Sequence, residues 1–190
     1  VSGWNGETPL HDPMCGSGTL LCEALMHYCQ IPAAYFRDGF GFMYLPEFDD
    51  RDWQLIKQLS DEKIRDLPAG LIAGSDSSPA AIKASGENLS TFQQGIAVDL
   101  KVSLFQTLKN MENRTIITNP PYGIRLGKAE ELQHTYKKLG DFLKNKCNGS
   151  EAYIYCGNRD LIKDIGLRTT FKIPMKNGDL DGRLLKYEIY

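Results

Sequence analysis

Short apolar runs alternate with amphipathic helical stretches along this chain, and that alternation restricts it to a mostly parallel sheet flanked by helices. Segment 9–18, PLHDPMCGSG, reads as a short buried strand running into a glycine turn. TLLCEALMHYC (19–29) then has helical periodicity. GLIAGSD (70–76) is a second strand ending in an acid, and SPAAIKASGENL (78–89) a helix with serine at its cap and proline at its first position. AVDLKVSLF (97–105) and RTIIT (114–118) read as the third and fourth strands. EELQHTYKKLGDFLKNK (130–146) is an amphipathic helix with Leu132, Tyr136, Leu139 and Leu143 on one stripe. EAYIYCG (151–157) is the fifth strand, followed by a short helix near 159–165. TTFKIPM and LLKYEIY form a closing antiparallel hairpin around KNGDLDG. The expected fold is α/β: a doubly wound, mostly parallel seven-stranded sheet with helices on both faces and the hairpin at its end. In such sheets ligands lie beyond the carboxyl ends of the strands.

The 190 residues, 42% hydrophobic, suffice for one domain with a real core. No apolar run approaches the roughly 18–20 residues of a membrane span, and no signal-peptide pattern is present, so a cytoplasmic protein without membrane contact is expected. The five cysteines include no C-x-x-C pair, and Cys15, Cys22 and Cys29 are spaced seven apart. That pattern fits reduced thiols on a helix face and not a disulfide framework or zinc site. His11, His27 and His134 are scattered and form no ligand set, so no metal is expected. Residues 1–136 carry 11 basic and 17 acidic side chains, a net −6, whereas 137–190 carry 11 and 7, a net +4. The basic end could face an anionic partner or simply be solvated. Segment 30–69, with Tyr35, Phe36, Phe40, Phe42, Tyr44, Phe48 and Trp53, interrupts the alternation and reads as a small packed insertion in preference to a base-stacking surface.

Two strand ends carry unusual residues. DPMCGSG places G-x-G at a strand-to-helix turn, where the backbone can approach a ligand and the helix start offers free N–H groups. It is not a P-loop, since no G-K-[ST] follows, and Leu21 replaces the last glycine of G-x-G-x-x-G. Asp76, ending the next strand and followed by Ser77, could accept hydrogen bonds from both hydroxyls of a ribose or serve as a helix cap. Loop and acid together indicate a nucleoside-bearing cofactor, NAD or S-adenosylmethionine.

After the fourth strand stands TNPPYG (118–123). An amine conjugated to a ring attacks a methyl donor poorly, because its lone pair is delocalised. Two acceptors set against its two N–H bonds would hold the nitrogen and favour lone-pair character in the transition state. Asn119 supplies a side-chain oxygen and Pro120 a main-chain carbonyl fixed by its ring, while Pro121 stiffens the turn. Tyr122 offers a flat face for an extruded base. The bland alternative is a rigid turn with an asparagine cap.

LHDPMCGSGTLLCEA, GSD, NPPYGIRLG and KNGDLDGRL together resemble the THUMP-associated RNA methylase family, a group of class I S-adenosylmethionine-dependent methyltransferases with a Rossmann-like fold. Within it the chain is most similar to the bacterial 23S rRNA guanine-N2 enzymes. The resemblance implies methylation of an exocyclic base amine in RNA. It implies cofactor contacts from Asp12, Pro13, Cys15, Gly16 and Gly18 at the methionine end, and from Asp76 and Ser77 at the ribose. It implies that Asn119, Pro120, Pro121 and Tyr122 hold the guanine amine and that Arg125 contacts RNA phosphate or the loop itself. The family often has an aspartate after the third strand for the adenine amine; here the segment reads SLFQTL, and Gln106 takes its place. The chain begins almost at the first strand, so a catalytic fragment lacking the upstream RNA-binding THUMP domain is expected. Alternatives are a DNA adenine-N6 or protein glutamine methyltransferase, a non-catalytic RNA-binding module, and a nicotinamide oxidoreductase. The missing third glycine disfavours the last.

Overall fold

The computed structural model describes residues 2–123 and 129–190. Seven strands form one sheet: β1 (Leu10–Asp12), β2 (Ile72–Asp76), β3 (Asp99–Val102), β4 (Thr115–Thr118), β5 (Glu151–Cys156), β6 (Phe171–Asn177) and β7 (Leu180–Glu188). Their order is β3-β2-β1-β4-β5-β7-β6. β1 to β5 run parallel, and β7 alone is reversed, pairing antiparallel with both β5 and β6. The doubly wound sheet with its terminal hairpin is as the alternation demands. The chain leaves β1 towards β2 on one side, while β4 lies on the other, so the topology switches between β1 and β4. A crevice opens at such a point.

Helices α1 (Thr19–Cys29) and α3 (Pro79–Leu89) bury Leu21, Leu25 and Leu89 with Leu10 and Ile72 on one face of the sheet. Helix α4 (Ala129–Lys146) buries Tyr136, Leu139 and Leu143 against Ile116, Ile154 and Leu185. A 3-10 helix at Arg159–Ile165 joins it there through Leu161 and Ile165. Leu10 pairs with Thr115 and His11 with Ile116. Since side chains alternate along a strand, Ile116 shares a face with His11 and not with Leu10. The two apolar cores therefore lie on opposite faces, one under β1–β3 and the other under β4, β5 and β7.

Three boundaries differ from the sequence reading. β1 has three residues, because Pro13 cannot donate to a ladder and Gly16 and Gly18 turn to positive φ (56° and 83°). β3 stops at Val102, and a 3-10 turn at Phe105–Thr107 begins the connection to β4. In the hairpin, Asn177 pairs with Leu180, leaving a two-residue turn at Gly178–Asp179. Gly178 has φ 58°, and the strands of KNGDLDG extend almost to it. A positive φ at the first turn position alone matches a II′ turn, whose twist suits a tight hairpin. The insertion contains α2 (Asp50–Asp61) and a 3-10 turn at Gly41–Tyr44, with no buried side chain in either. Its rings pack on one another: Phe40 stacks on Phe42 at 5.2 Å, and Trp53 meets both edge-on.

Candidate functional site

The glycine turn after β1 is held from three sides. Cys15 N–H donates to the Ser75 carbonyl (3.0 Å) and Gly16 N–H to Asp76 Oδ2 (3.0 Å). From α3, Ser85 Oγ donates to the Gly16 carbonyl (2.7 Å) and Asn88 Nδ2 to that of Ser17 (2.8 Å). A Cβ at Gly18 would lie 2.9 Å from Ser85 Oγ, so the loop fits against α3 only as glycine. Gly18 caps α1 without a side-chain hydrogen bond, leaving the first N–H groups of the helix to a ligand.

Asp12 ends β1 and is 2% exposed. Its Oδ1 accepts from Met14 N–H (3.0 Å). Burial pushes the carboxyl up to about 7, against the opposing pull of the Thr118 hydroxyl and the Met14 N–H. The Thr118 hydroxyl is itself buried and makes no hydrogen bond of ordinary geometry, so the favourable contact to Asp12 is a weak one. Beside Asp12, His11 Nε2 lies 3.1 Å from Ser75 Oγ, and burial together with the Arg114 charge lowers the imidazole to about 4.

Asp76 is half-buried at the end of β2, with Oδ2 on Gly16 N–H and Oδ1 on Ser78 N–H (2.9 Å). A carboxylate has about four acceptor positions, so two remain for a ligand. Ser77 is exposed beside it, while Ser78 provides the cap of α3. Beyond β3, Gln106 Oε1 is buried without a partner among the described residues. Pro13 is buried in the turn. The Cys15 side chain packs into the α1 core, 3.7 Å from Ser85 Oγ, and burial raises its thiol to about 11; it does not face the cleft with the glycines.

Across the switch point, Asn119 follows β4 directly. It is exposed, and among the described residues its side chain has no hydrogen-bond partner. Pro120 is buried and Pro121 exposed. The Tyr122 ring lies on Gly157, where a Cβ would come within 2.6 Å of Cδ2, and edge-on to Tyr155 (centroids 5.8 Å apart, 77° between planes). Arg125 lies outside the described residues. A cleft of about 420 Å³ opens beside Asn119, lined by Thr118, Tyr155, Met175, Asn177 and Leu184.

Along one sheet edge the order is thus Gln106 after β3, Asp76 after β2, the glycine turn after β1 and Asn119 after β4. Sequence reasoning missed Ser85, Asn88, Tyr155 and Gly157. The first two had a signal, small polar residues three apart on the helix following the acid; the others had none, since strand pairing alone brings them here. Among the described residues no helix is long and apolar enough to cross a membrane, and no group of three or more His, Cys, Asp or Glu side chains is placed to hold a metal.

This arrangement matches known proteins over its whole length. Residues 1–186 fit the family model described as RMKL-like, methyltransferase domain. The chain is 38% identical over its full length to the "Putative RNA methyltransferase slr0064" of Synechocystis sp. and covers 50% of that protein. It is 36% identical over 99% of its length to "Ribosomal RNA large subunit methyltransferase K/L" of Photobacterium profundum, covering 27% of it. The chain therefore spans half or less of the length of these curated relatives. The crystal structure of SMU.472, described as a "putative methyltransferase complexed with SAH", superposes with TM-score 0.86 at 26% identity, over 99% of this chain and 50% of that one. A "possible methylase" of Clostridium difficile 630 superposes with TM-score 0.89 at 27% identity, over 98% and 49%. The fold, the switch-point loop and the match across 1–186 agree: the chain belongs to the family of RMKL-like methyltransferase domains.

Proposed function

We propose that this domain methylates an exocyclic base amine in RNA, guanine N2 of 23S rRNA, with S-adenosylmethionine as donor. The observation that carries the reading is Asn119: an exposed amide without a partner among the described residues, followed by two prolines, one strand away from a glycine turn tied to an acid. The names of the two relatives support the RNA substrate, and that of SMU.472 supports the cofactor.

The residues fit such a cofactor. Gln106 Oε1 is a buried acceptor in need of a donor, and an adenine amine is one. Asp76 keeps acceptor positions for ribose hydroxyls. The uncapped start of α1 suits a carboxylate, and Asp12 suits an ammonium, because a cation there would draw its carboxyl back to the charged form. Gly16 and Gly18 admit the chain of the ligand, Pro13 and Cys15 shape the turn from below, and Ser77 borders the ribose side. When bound, S-adenosylmethionine supplies a methyl group on a sulfonium centre.

The protein's part is positional. Asn119 Oδ1 and the Pro120 carbonyl accept the two N–H bonds of the base amine, which directs the nitrogen lone pair at the methyl carbon. Pro121 restricts the turn, so that the acceptors need no reorganisation when positive charge develops on nitrogen. Tyr122 carries the base on its ring face, and Arg125 meets the RNA backbone. With S-adenosylmethionine bound, the methyl group would pass to the nitrogen these residues aim, and the donor would leave as S-adenosylhomocysteine. The alkylated nitrogen then releases a proton to solvent, for which no strong base is required.

The test is transfer of labelled methyl to unmodified 23S rRNA, with nucleoside mass spectrometry of the product. Asn119→Ala is expected to lower kcat at least ~100-fold, the scale of one positioned polar group, with cofactor affinity unchanged. Normal turnover in that variant, or a product other than N2-methylguanosine, would overturn the chemistry or the base assignment respectively.

A further inference from the structure

The tail motif KNGDLDG has no part in the reading above, yet the fold brings it to the catalytic edge. Because β7 is reversed, its first residues lie beside the carboxyl end of β5: Cys156 pairs with Arg183 and Tyr155 with Leu184. The side chains of Tyr155 and Leu184 share one face of the sheet, and on that face position 182 presents only its backbone. Gly182 is where the Tyr155 ring lies. A Cβ there would collide with the Tyr155 hydroxyl and would come within 2.6 Å of Cζ. Lacking one, Gly182 lets the ring lean along the sheet towards the carboxyl edge, where it meets Tyr122 at 77°. Gly157 does the same for Tyr122 from the other side. Asp181 fixes the start of β7, receiving Arg183 Nη1 at 2.6 Å and lying 3.5 Å from Arg159 Nη1 on the segment after β5.

The Tyr155 hydroxyl does not account for this arrangement. It is buried without a hydrogen-bond partner among the described residues and lies against the backbone of β7 at Gly182. What Tyr155 presents to the site is the ring. Edge-to-face contact sets the plane of the second ring as well as its position. Tyr122 belongs to a short segment between β4 and α4, has no hydrogen bond among the described residues, and is gripped by Gly157 and Tyr155.

We propose that Tyr155, seated on Gly182 of the β6–β7 hairpin, is a positioning residue that fixes the plane of the Tyr122 ring for stacking on the target base. This rests on the reading of Tyr122 as the base platform. It gives the tail motif a job: Asp181 sets the strand, Gly182 makes room for Tyr155, and Tyr155 orients Tyr122. It also places the specificity of the site under the control of residues about 60 positions beyond Asn119 in the chain.

The experiment is a double-mutant cycle on kcat/KM for methyl transfer to an unmodified 23S rRNA transcript, with S-adenosylhomocysteine affinity and Tm measured in parallel. Tyr155→Leu is expected to lower kcat/KM about tenfold, the scale of a lost aromatic pair that acts in the transition state. Tyr155→Phe, which keeps the ring edge, stays within about twofold of the parent. In a Tyr122→Ala background Tyr155→Leu has less than about a twofold further effect, because it acts through the ring that is gone. S-adenosylhomocysteine affinity is unchanged throughout. If Tyr155→Leu folds poorly, Tyr155→Met keeps the apolar volume without the flat edge and carries the same expectation. Full additivity in the cycle, or parent activity in both the Leu and Met variants, overturns the positioning role while leaving Asn119 chemistry intact. Parent activity in Tyr122→Ala overturns the platform and this inference together. Loss of the Asn119→Ala effect is a separate failure, of the proposed chemistry.

Discussion

Replacing Asp12 by asparagine is expected to stabilise the ligand-free protein at pH 8 and to leave it nearly unchanged only below about pH 4. The carboxyl rises from 3.8 to about 7 because the end of β1 excludes water. Between those values the folded state keeps a proton that the unfolded state has released. Stability therefore falls as pH rises from about 4 to about 7, and the loss is complete above 7. A rise of about three pKa units corresponds to about 4 kcal/mol. That figure is a ceiling, since water penetration on opening and cofactor binding both reduce it. Asparagine cannot ionise, so it escapes this loss. Its Oδ1 keeps the Met14 N–H, and its Nδ2 offers a donor to the Thr118 hydroxyl, whose contact to Asp12 is only a weak one.

The parent protein conceals the effect. His11, next in sequence, has its imidazole lowered from 6.5 to about 4. Here the unfolded state holds the extra proton, so stability rises with pH through the same window, by about 3 kcal/mol on the same scale. The two neighbours oppose one another, and the parent profile is expected to be close to flat. In Asp12→Asn only the histidine remains, and stability should climb by about 2–3 kcal/mol from pH 4 to 7. Urea unfolding of ligand-free protein at several pH values measures this directly. Parallel profiles for parent and variant, with a constant offset, would refute the argument that Asp12 is buried as an acid. The functional counterpart is that cofactor affinity in the variant falls, because the group that would face the ammonium has lost its charge.

Two other substitutions separate binding from folding. Gln106→Leu removes a buried acceptor without a partner; the ligand-free protein should keep or gain up to about 1 kcal/mol of stability while cofactor affinity falls, and calorimetry finding unchanged affinity would remove the adenine contact. Asp76→Ala strips acceptors from both Gly16 and Ser78, so it should cost about 1–3 kcal/mol in denaturant unfolding besides weakening the cofactor; a stable variant with parent affinity would contradict both roles.

The sheet and the two strand-end motifs were legible in the sequence for a physical reason. Alternation of strand and helix, a proline–glycine turn and an asparagine–proline corner are all local, and their chemistry is carried by consecutive residues. What was not legible depends on pairing between distant strands. Nothing in EAYIYCG marks Tyr155 as the neighbour of Tyr122, since that follows only when β5 lies next to β4 and Gly182 faces the ring. The β6–β7 turn was read too broadly, because a glycine-rich stretch looks like a loop until a two-residue turn shows that glycine is needed for close packing as well as for φ. Cys15 is placed in the site by the resemblance, and that its side chain is buried beside Ser85 follows only from how the turn packs on α3.

The two reactants are held by different halves of the molecule. Ser85, Asn88 and Asp76, from the β1–β3 half, grip the turn that would hold the donor. Gly157 and Tyr155, from the β4–β7 half, grip the corner that would hold the amine. Each half has its own core on its own face of the sheet, and the two meet at the seam between β1 and β4, with Met14 and Ile117 packing across it. That seam is short: two register pairs, Leu10 with Thr115 and His11 with Ile116, together with Thr115 N–H on the Pro9 carbonyl (2.9 Å) and Thr8 Oγ1 beside Thr115 Oγ1 (3.0 Å). Methyl transfer requires the attacking nitrogen and the carbon within about 3–3.5 Å in line, so a small shift at this seam alters the chemical step without touching either binding site. The buried polar residues His11, Asp12 and Thr118 lie on its two strands. This seam lies where two substrates must meet, and the backbone and threonine hydrogen bonds across it fix the approach of one binding site to the other.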